Sequence, residues 1–365
     1  MATDVGAAEA PVDDLVSPRE LTGRRLVLAS VVVLAAACIL SMATGSTGVR
    51  LTALPGAIAS ALGYSSEPVD MRASLVLIDL RLPRTLLAVF VGGSLAVAGA
   101  MMQGLFRNPL ADPGLVGVSS GATLAAVTFI VLGNSYLGGW QALMGIYALP
   151  VAAFLGGLLA TAVLVGVASR HGATAVGTLL LAGIALGALT GALTGILAYV
   201  SNDRELRDLT LWSMGSFSGA SWAKASAVAP FALVLLVALP GLVRALNGML
   251  LGEAEAYHLG IDLEAAKRKI VILTAMAVGG SVAVAGIIGF VGIVVPHFVR
   301  MISGPDHRVV LPASALLGAS LVLAADVVAR VVVAPAELPI GIIMAIIGAP
   351  VFLHLILKRS STVVF

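Results

Sequence analysis

Long apolar runs joined by short polar connections dominate the chain from residue 26 onward. A bilayer core of about 30 Å takes roughly 20 apolar residues per helix. That ruler marks candidate spans at 26–46, 85–106, 115–133, 143–168 and 174–200. A second group follows at 225–244, 269–288, 291–303, 309–332 and 338–357. The pattern predicts an all-α polytopic membrane protein with about ten transmembrane helices. The run 291–303 is short and contains Pro296, so it reads as a broken helix or as one fused to its neighbour. Residues 1–24 are polar and slightly acidic and lead into Arg24-Arg25. A cleaved signal peptide begins basic and passes quickly into a short apolar stretch, an order not found here. Residues 1–24 therefore read as a cytoplasmic tail and 25–365 as one transmembrane domain.

Composition agrees with the pattern and narrows the class. Hydrophobic residues make up 59% of the chain and charged residues 11%, where a soluble domain carries about 25% charged residues. The 41 glycines suit helices that approach closely in lipid. A net charge of +2 gives no nucleic-acid signal. The single cysteine, Cys38, lies in an apolar run and precludes an intramolecular disulfide.

Charge placement then sets an orientation. With both termini cytoplasmic, inner segments hold Arg24, Arg25, Arg107, Arg170, Arg244, Lys267, Arg268, Lys269, Arg300, Arg308, Lys358 and Arg359. Outer segments hold Arg50, Arg72, Arg81, Arg84, Arg204, Arg207, Lys224 and Arg330. The bias is modest, and the size of the outer set calls for a specific role.

One repeat bears on mechanism. The stretch from Val91 to Gly99 recurs from Val278 to Gly286, differing only where Leu95 is replaced by Val282. The copies fall on the second and seventh spans, and an odd offset points them in opposite directions, the mark of inverted-topology duplication in transporters. Nucleotide and metal chemistry leave no trace. The Walker A pattern G-x-x-x-x-G-K-[ST] is absent, as are H-E-x-x-H, a Cys/His cluster and G-x-S-x-G. The five histidines, at 171, 258, 297, 307 and 354, fall near membrane edges and read as solvated or capping residues. The apolar runs hold almost no ionisable residue except Asp326, whereas an ion-coupled carrier keeps a mid-membrane relay. A separate subunit is the better energy source.

Three motifs carry a family resemblance. They are RLPRTL at 81–86, QGLFRNPLADPG followed by LVGVSSGA at 103–122, and ADVVARVVVAPAELPIGIIMAIIGAPVFLHLILKR at 325–359. The prolines and glycine of the second impose a rigid turn, and Ser119, Ser120 and Gly121 soften the start of the next span. Together with GEAEAYHLGI at 252–261, they resemble the permease family that imports ferric siderophores, heme and vitamin B12, the FecCD-type ABC importers. The resemblance spans nearly all of the chain from about residue 50. It implies a homodimer with the pathway at the subunit interface, two ATP-binding subunits below it and a periplasmic substrate-binding protein above. It implies a place in the bacterial inner membrane, no permanently bound cofactor and no metal site, with ATP used by the partner.

The resemblance also assigns residues. Arg81, Arg84 and Arg330 match the rim positions that receive acidic residues of the binding protein; pairing with Asp79 and Asp326, or with lipid headgroups, is the alternative. Glu253, Ala254, Glu255, Ala256, Tyr257, His258, Leu259 and Gly260 match the short helix that couples to the ATPase. From the residues alone, Glu253 to Leu259 can form about two turns closed by Gly260. The outer segment 202–216 and the FRNPLADPG wording look most like heme permeases. There Arg207, ahead of Arg204, can pair a porphyrin propionate, or both can pair with neighbouring carboxylates. Ferric siderophore is the alternative cargo, cobalamin the next, and an ion-coupled secondary transporter the alternative from another class.

Overall fold

The computed structural model describes residues 18–45, 48–61, 71–170, 173–174 and 176–360. Most of the tail expected at 1–24, its first 17 residues, lies outside them, as does His171. Among the described residues ten main helices follow the apolar runs in order. They are α1 (Pro18–Ala43), α2 (Leu82–Leu105), α3 (Val118–Tyr136), α4 (Ala148–Ala168) and α5 (Val176–Val200). Then come α6 (Trp222–Leu251), α7 (Leu263–Ala285), α8 (Val291–Ser303), α9 (His307–Val331) and α10 (Ile340–Ser360). Seven are long and apolar enough to cross a membrane, and α8 with parts of α3 and α10 are shorter apolar helices. Residues Met71–Arg81 extend α2 at its start through a turn of π-helix. A two-residue antiparallel ladder, Ser169–Arg170 with Ala173–Thr174, joins α4 to α5.

Short polar residues start the helices. Asp262 accepts the Ala265 N–H at 3.0 Å to cap α7, Asp306 accepts the Arg308 N–H at 2.9 Å to cap α9, and Ser221 caps α6. Each satisfies a backbone donor that the first helical turn leaves without a partner.

Close helix crossings hold the bundle. A Cβ on Gly92 would sit 2.5 Å from the Gly318 carbonyl where α2 crosses α9, and one on Gly121 would sit 2.4 Å from the Gly156 carbonyl where α3 crosses α4. Backbones this close gain van der Waals contact that lipid cannot supply. The spans containing α2 and α7 are the most deeply buried, while α1 and α5 are mostly exposed. Both copies of the repeat therefore lie on the central helices, and side chains such as Val91, Ala98, Val278 and Ala285 are fully or almost fully buried. Helix α2 begins at the end of the bundle where α7 finishes, so the two copies run oppositely.

Three expectations change. Helix α8 is separate, cut off from α7 by the non-helical stretch 286–290, with Phe290 at its N-cap at φ 67°. The outer segment 202–216, given no secondary structure by the sequence, contains a helix, Asp203–Ser213, opened by a capping box in which Asn202 and Glu205 bond each other's backbone N–H at 3.0 and 3.1 Å. And His307, read as solvated or capping, is fully buried, because four helix ends close around it.

Candidate functional site

Two ends of the bundle matter, called proximal, where α1 starts, and distal, where α1 finishes. At the distal end, the Asp326 side chain on α9 has no exposure and lies between two arginines. Arg84, near the start of α2, donates to it through Nη2 at 2.8 Å and Nε at 3.1 Å. Arg330, one turn further along α9, reaches the other carboxylate oxygen at 3.0 Å. Arg84 also grips Glu337 from the loop after α9 at 2.8 Å. Arg330 Nη1 donates to the Thr44 carbonyl at 2.9 Å, and Arg81 Nη1 donates to the Met42 carbonyl at 2.6 Å. Those carbonyls are left open by the end of α1, where a cation is favoured by the helix dipole as well.

The three rim arginines thus meet in one cluster, but bonded within the chain: Arg81 is 5% exposed and the Arg84 side chain 13%. Of the alternatives left by the sequence, Asp326 pairs with Arg84 and Arg330. A fork of guanidinium donors on one shared carboxylate ties α1, α2 and α9 together.

Beside this cluster the distal loops cross tightly. The Ser216 N–H donates to the Ala285 carbonyl at 2.8 Å, and the Ile340 N–H to the Gly215 carbonyl at 2.9 Å. Gly286, at φ 71°, has room for no side chain, because a Cβ would sit 2.2 Å from the Trp212 carbonyl. A cavity of about 650 Å³ opens next to the crossing. It is lined by Ile146, Leu149, Pro150, Leu211, Trp212, Ser216, Ser218, Lys224, Glu337 and Pro339, and by residues 283–286 of the α7 end. Neither Arg204 nor Arg207 lines it. Both are exposed on the outer face of the Asp203–Ser213 helix, and Arg207 stands 3.9 Å from Asp208.

At the proximal end, Glu253–His258 is a short helix between α6 and α7. Gly252 starts it at φ 124° and Gly260 follows it at φ 71°, conformations that favour glycine. Ala256 is buried beneath it, while Glu253, Ala254, Glu255, Tyr257, His258 and Leu259 are exposed. Lys267 of α7, its side chain 6% exposed, bridges Glu253 at 3.1 Å and Glu264 at 3.3 Å. Arg244 of α6 donates to the Leu259 carbonyl at 3.1 Å. The short helix is thereby clamped to both neighbours and presents an open polar and aromatic face.

Behind it lies a buried network with no counterpart in the sequence reading. His307 Nδ1 and the His307 N–H both lie 2.9 Å from Asn247 Oδ1, and Asn247 Nδ2 donates to Asp306 at 2.7 Å. Arg300 donates to Gln103 and, at 3.1 Å, to the Ala100 carbonyl. Gln103 in turn donates to the Gly292 carbonyl at 3.2 Å. The chain of bonds joins the proximal ends of α2, α6, α8 and α9. The only sequence signal was a polar residue, Gln103 or Asn247, interrupting an apolar run close to its end.

The NPLADPG turn sits between α2 and α3. Asp112 accepts the Gly114 N–H at 2.6 Å, and desolvation pushes its carboxyl above the usual carboxylate range against that bond. Gly117, at φ 74°, then starts α3.

These features can be set beside known proteins. The profile of the FecCD transport family matches residues 33–358. The chain belongs to that family. The hemin transport system permease protein HmuU of Yersinia pestis is 48% identical over 286 residues, 78% of this chain and 84% of that protein. The cobalamin import system permease protein BtuC of Halobacterium salinarum is 42% identical over 315 residues, 86% of this chain and 81% of that protein. The vitamin B12 import system permease protein BtuC of Salmonella typhi is 43% identical over 298 residues, 80% of this chain and 86% of that protein. A solved metal-chelate type ABC transporter in an inward-facing conformation superposes with a TM-score of 0.79 at 31% identity, covering 92% of this chain and 99% of that one. This FecCD family member is accordingly a multi-pass permease of the ABC importer class, and its alternative as a lone ion-coupled carrier falls away.

Proposed function

We propose that this permease carries heme across the bacterial inner membrane, as the transmembrane subunit of an ATP-driven importer that is served by a periplasmic binding protein. The observation that carries the cargo is the 48% identity to a hemin permease, against 42% and 43% to two permeases for cobalamin or vitamin B12. In this reading the functional unit is a homodimer with two ATP-binding subunits, both termini are cytoplasmic, the proximal end faces the cytoplasm and the distal end the periplasm. The Glu253–His258 helix, with Leu259 and Gly260, is the coupling element, supported by its exposed face and its clamps to α6 and α7. Arg81, Arg84 and Arg330 form the docking rim. A partner carboxylate there meets Arg84 beside Glu337, since all three guanidinium groups already have partners within the chain. Such rim pairs register the partner more than they add affinity. No cofactor is held by the permease itself.

The test is reconstitution with the ATPase and binding protein, followed by ATP hydrolysis with heme, a ferric siderophore or cobalamin as cargo. Heme is expected to stimulate hydrolysis most. Stimulation by cobalamin or a siderophore and not by heme overturns the cargo. The cobalamin reading keeps the support of the two relatives named for that cargo.

A further inference from the structure

The distal cavity contains a cation that no described residue pairs with. Lys224 sits in the first turn of α6 and lines the cavity, and among the described residues its ammonium has no ion pair or hydrogen bond. Its position is electrostatically unfavourable in two ways. It is only partly exposed, so water solvates it incompletely, and it stands at the positive end of a 30-residue helix, where an anion is favoured. By contrast, Arg84 and Arg330 at the same end share Asp326, and Arg84 also pairs with Glu337. Glu337 also lines the cavity, but its carboxylate is held by Arg84, which leaves Lys224 as the group there short of a counter-ion. Gly219, at φ 71°, passes the ammonium with open space: a Cβ there would lie 3.9 Å from Nζ.

The remaining walls are apolar and aromatic, with Trp212, Leu211, Leu149 and Pro150 facing the same space as the hydroxyl-bearing Ser216 and Ser218. A volume of about 650 Å³ falls within the roughly 300–1,000 Å³ typical of small-molecule sites, which combine apolar walls with a few placed polar groups. We infer that this cavity is a cargo subsite for a largely apolar chelate bearing a carboxylate, with Lys224 pairing that carboxylate. The site differs from the pathway residues expected in the sequence, Arg207 and Arg204, which stand outside the cavity. The inference rests on the importer reading; its choice of ligand chemistry rests on the cavity.

The experiment uses the full-length permease in nanodiscs, with free heme and heme dimethyl ester as probes and quenching of tryptophan emission as the readout. Each variant is compared with the wild type for the same probe, so that partitioning of the probe into lipid cancels. Lys224→Ala is expected to weaken heme binding about tenfold and leave the ester unchanged, while Lys224→Arg keeps heme binding. Equal effects of Lys224→Ala on heme and ester, or no effect on either, overturn the proposal. Cargo-stimulated ATP hydrolysis of the wild-type complex is measured alongside. If cobalamin stimulates and heme does not, the heme importer reading fails, while the Lys224 assignment is still decided by the binding difference.

Discussion

Replacing Asp326 with asparagine keeps the shape of the side chain and removes its charge, which makes it the sharpest probe of the distal cluster. The carboxylate has no solvent exposure and receives Arg84 at 2.8 Å and Arg330 at 3.0 Å. Removing one member of a buried ion pair costs about 3–5 kcal/mol, because the charge left behind has lost both its partner and its water. Glu337 still pairs Arg84 at 2.8 Å, and the carbonyls of Ser41 and Thr44 still accept from Arg330. The expected loss therefore lies at the low end, about 3 kcal/mol, or roughly a hundredfold in the folding equilibrium. The assay is reversible unfolding from mixed micelles, read as a shift in midpoint at constant slope. The double variant Asp326→Leu/Arg330→Met removes the charges together and leaves Arg84 with Glu337, so it should recover most of the loss. A single variant that loses less than about 0.5 kcal/mol, the scale of an exposed pair, or a double variant no better than the single, refutes the claim that this cluster is a buried, mutually dependent unit.

Two further predictions test the packing and the proximal face. A Cβ on Gly99 would lie 1.9 Å from the Gly292 carbonyl, whereas one on Gly241 meets nothing within 4 Å. Gly99→Ala should cost about 1–3 kcal/mol by overpacking, and Gly241→Ala should be neutral or stabilising by about 0.5–1 kcal/mol, both read in the same unfolding assay; equal effects would contradict the helix crossing. Tyr257 is 73% exposed on the Glu253–His258 helix, so Tyr257→Glu should leave the unfolding midpoint unchanged. If that helix couples to the ATPase, the same variant should lower co-purification of the ATP-binding subunit about tenfold, and undiminished co-purification counts against the coupling role.

The positions of the membrane helices were legible in the sequence because hydrophobic run length is a one-dimensional property set by bilayer thickness. Their ends were legible where a residue has a local job, as Asp262 and Asp306 do at the caps of α7 and α9. Gly260 showed the close of the Glu253–His258 helix for the same reason, although the helix stops one residue earlier than expected. What the runs could not show was anything decided by partners distant in the chain. Arg84 and Asp326 are 242 residues apart, and Arg300 reaches Gln103 across 197. His307 looked like an interfacial residue because its neighbours in sequence are polar. Its neighbours in space are Asn247, Arg300 and the ends of four helices, and these bury it. Lys224 misled in the opposite sense: one more outer cation by sequence, it differs from Arg84 and Arg330 in having no carboxylate paired with it among the described residues, since Glu337 in the same cavity is held by Arg84.

The two ends of the bundle solve opposite electrostatic problems, and the difference bears on what each can do. At the proximal end Lys267 fastens an otherwise exposed helix to α7 through Glu253, while the buried network behind it satisfies its polar groups with amide, carbonyl, imidazole and carboxylate partners. At the distal end Asp326 neutralises Arg84 and Arg330 within the chain, so the cluster braces α1, α2 and α9 whether or not a partner is present. If the cluster receives the binding protein as proposed, an arriving carboxylate has to compete with Glu337 for Arg84, which limits the affinity gained there and leaves orientation as the larger return. Lys224 has no such internal competitor among the described residues. Of the distal cations that line or border the cavity, it is therefore the one whose charge remains available to a ligand, and the one where a single substitution should separate recognition from stability.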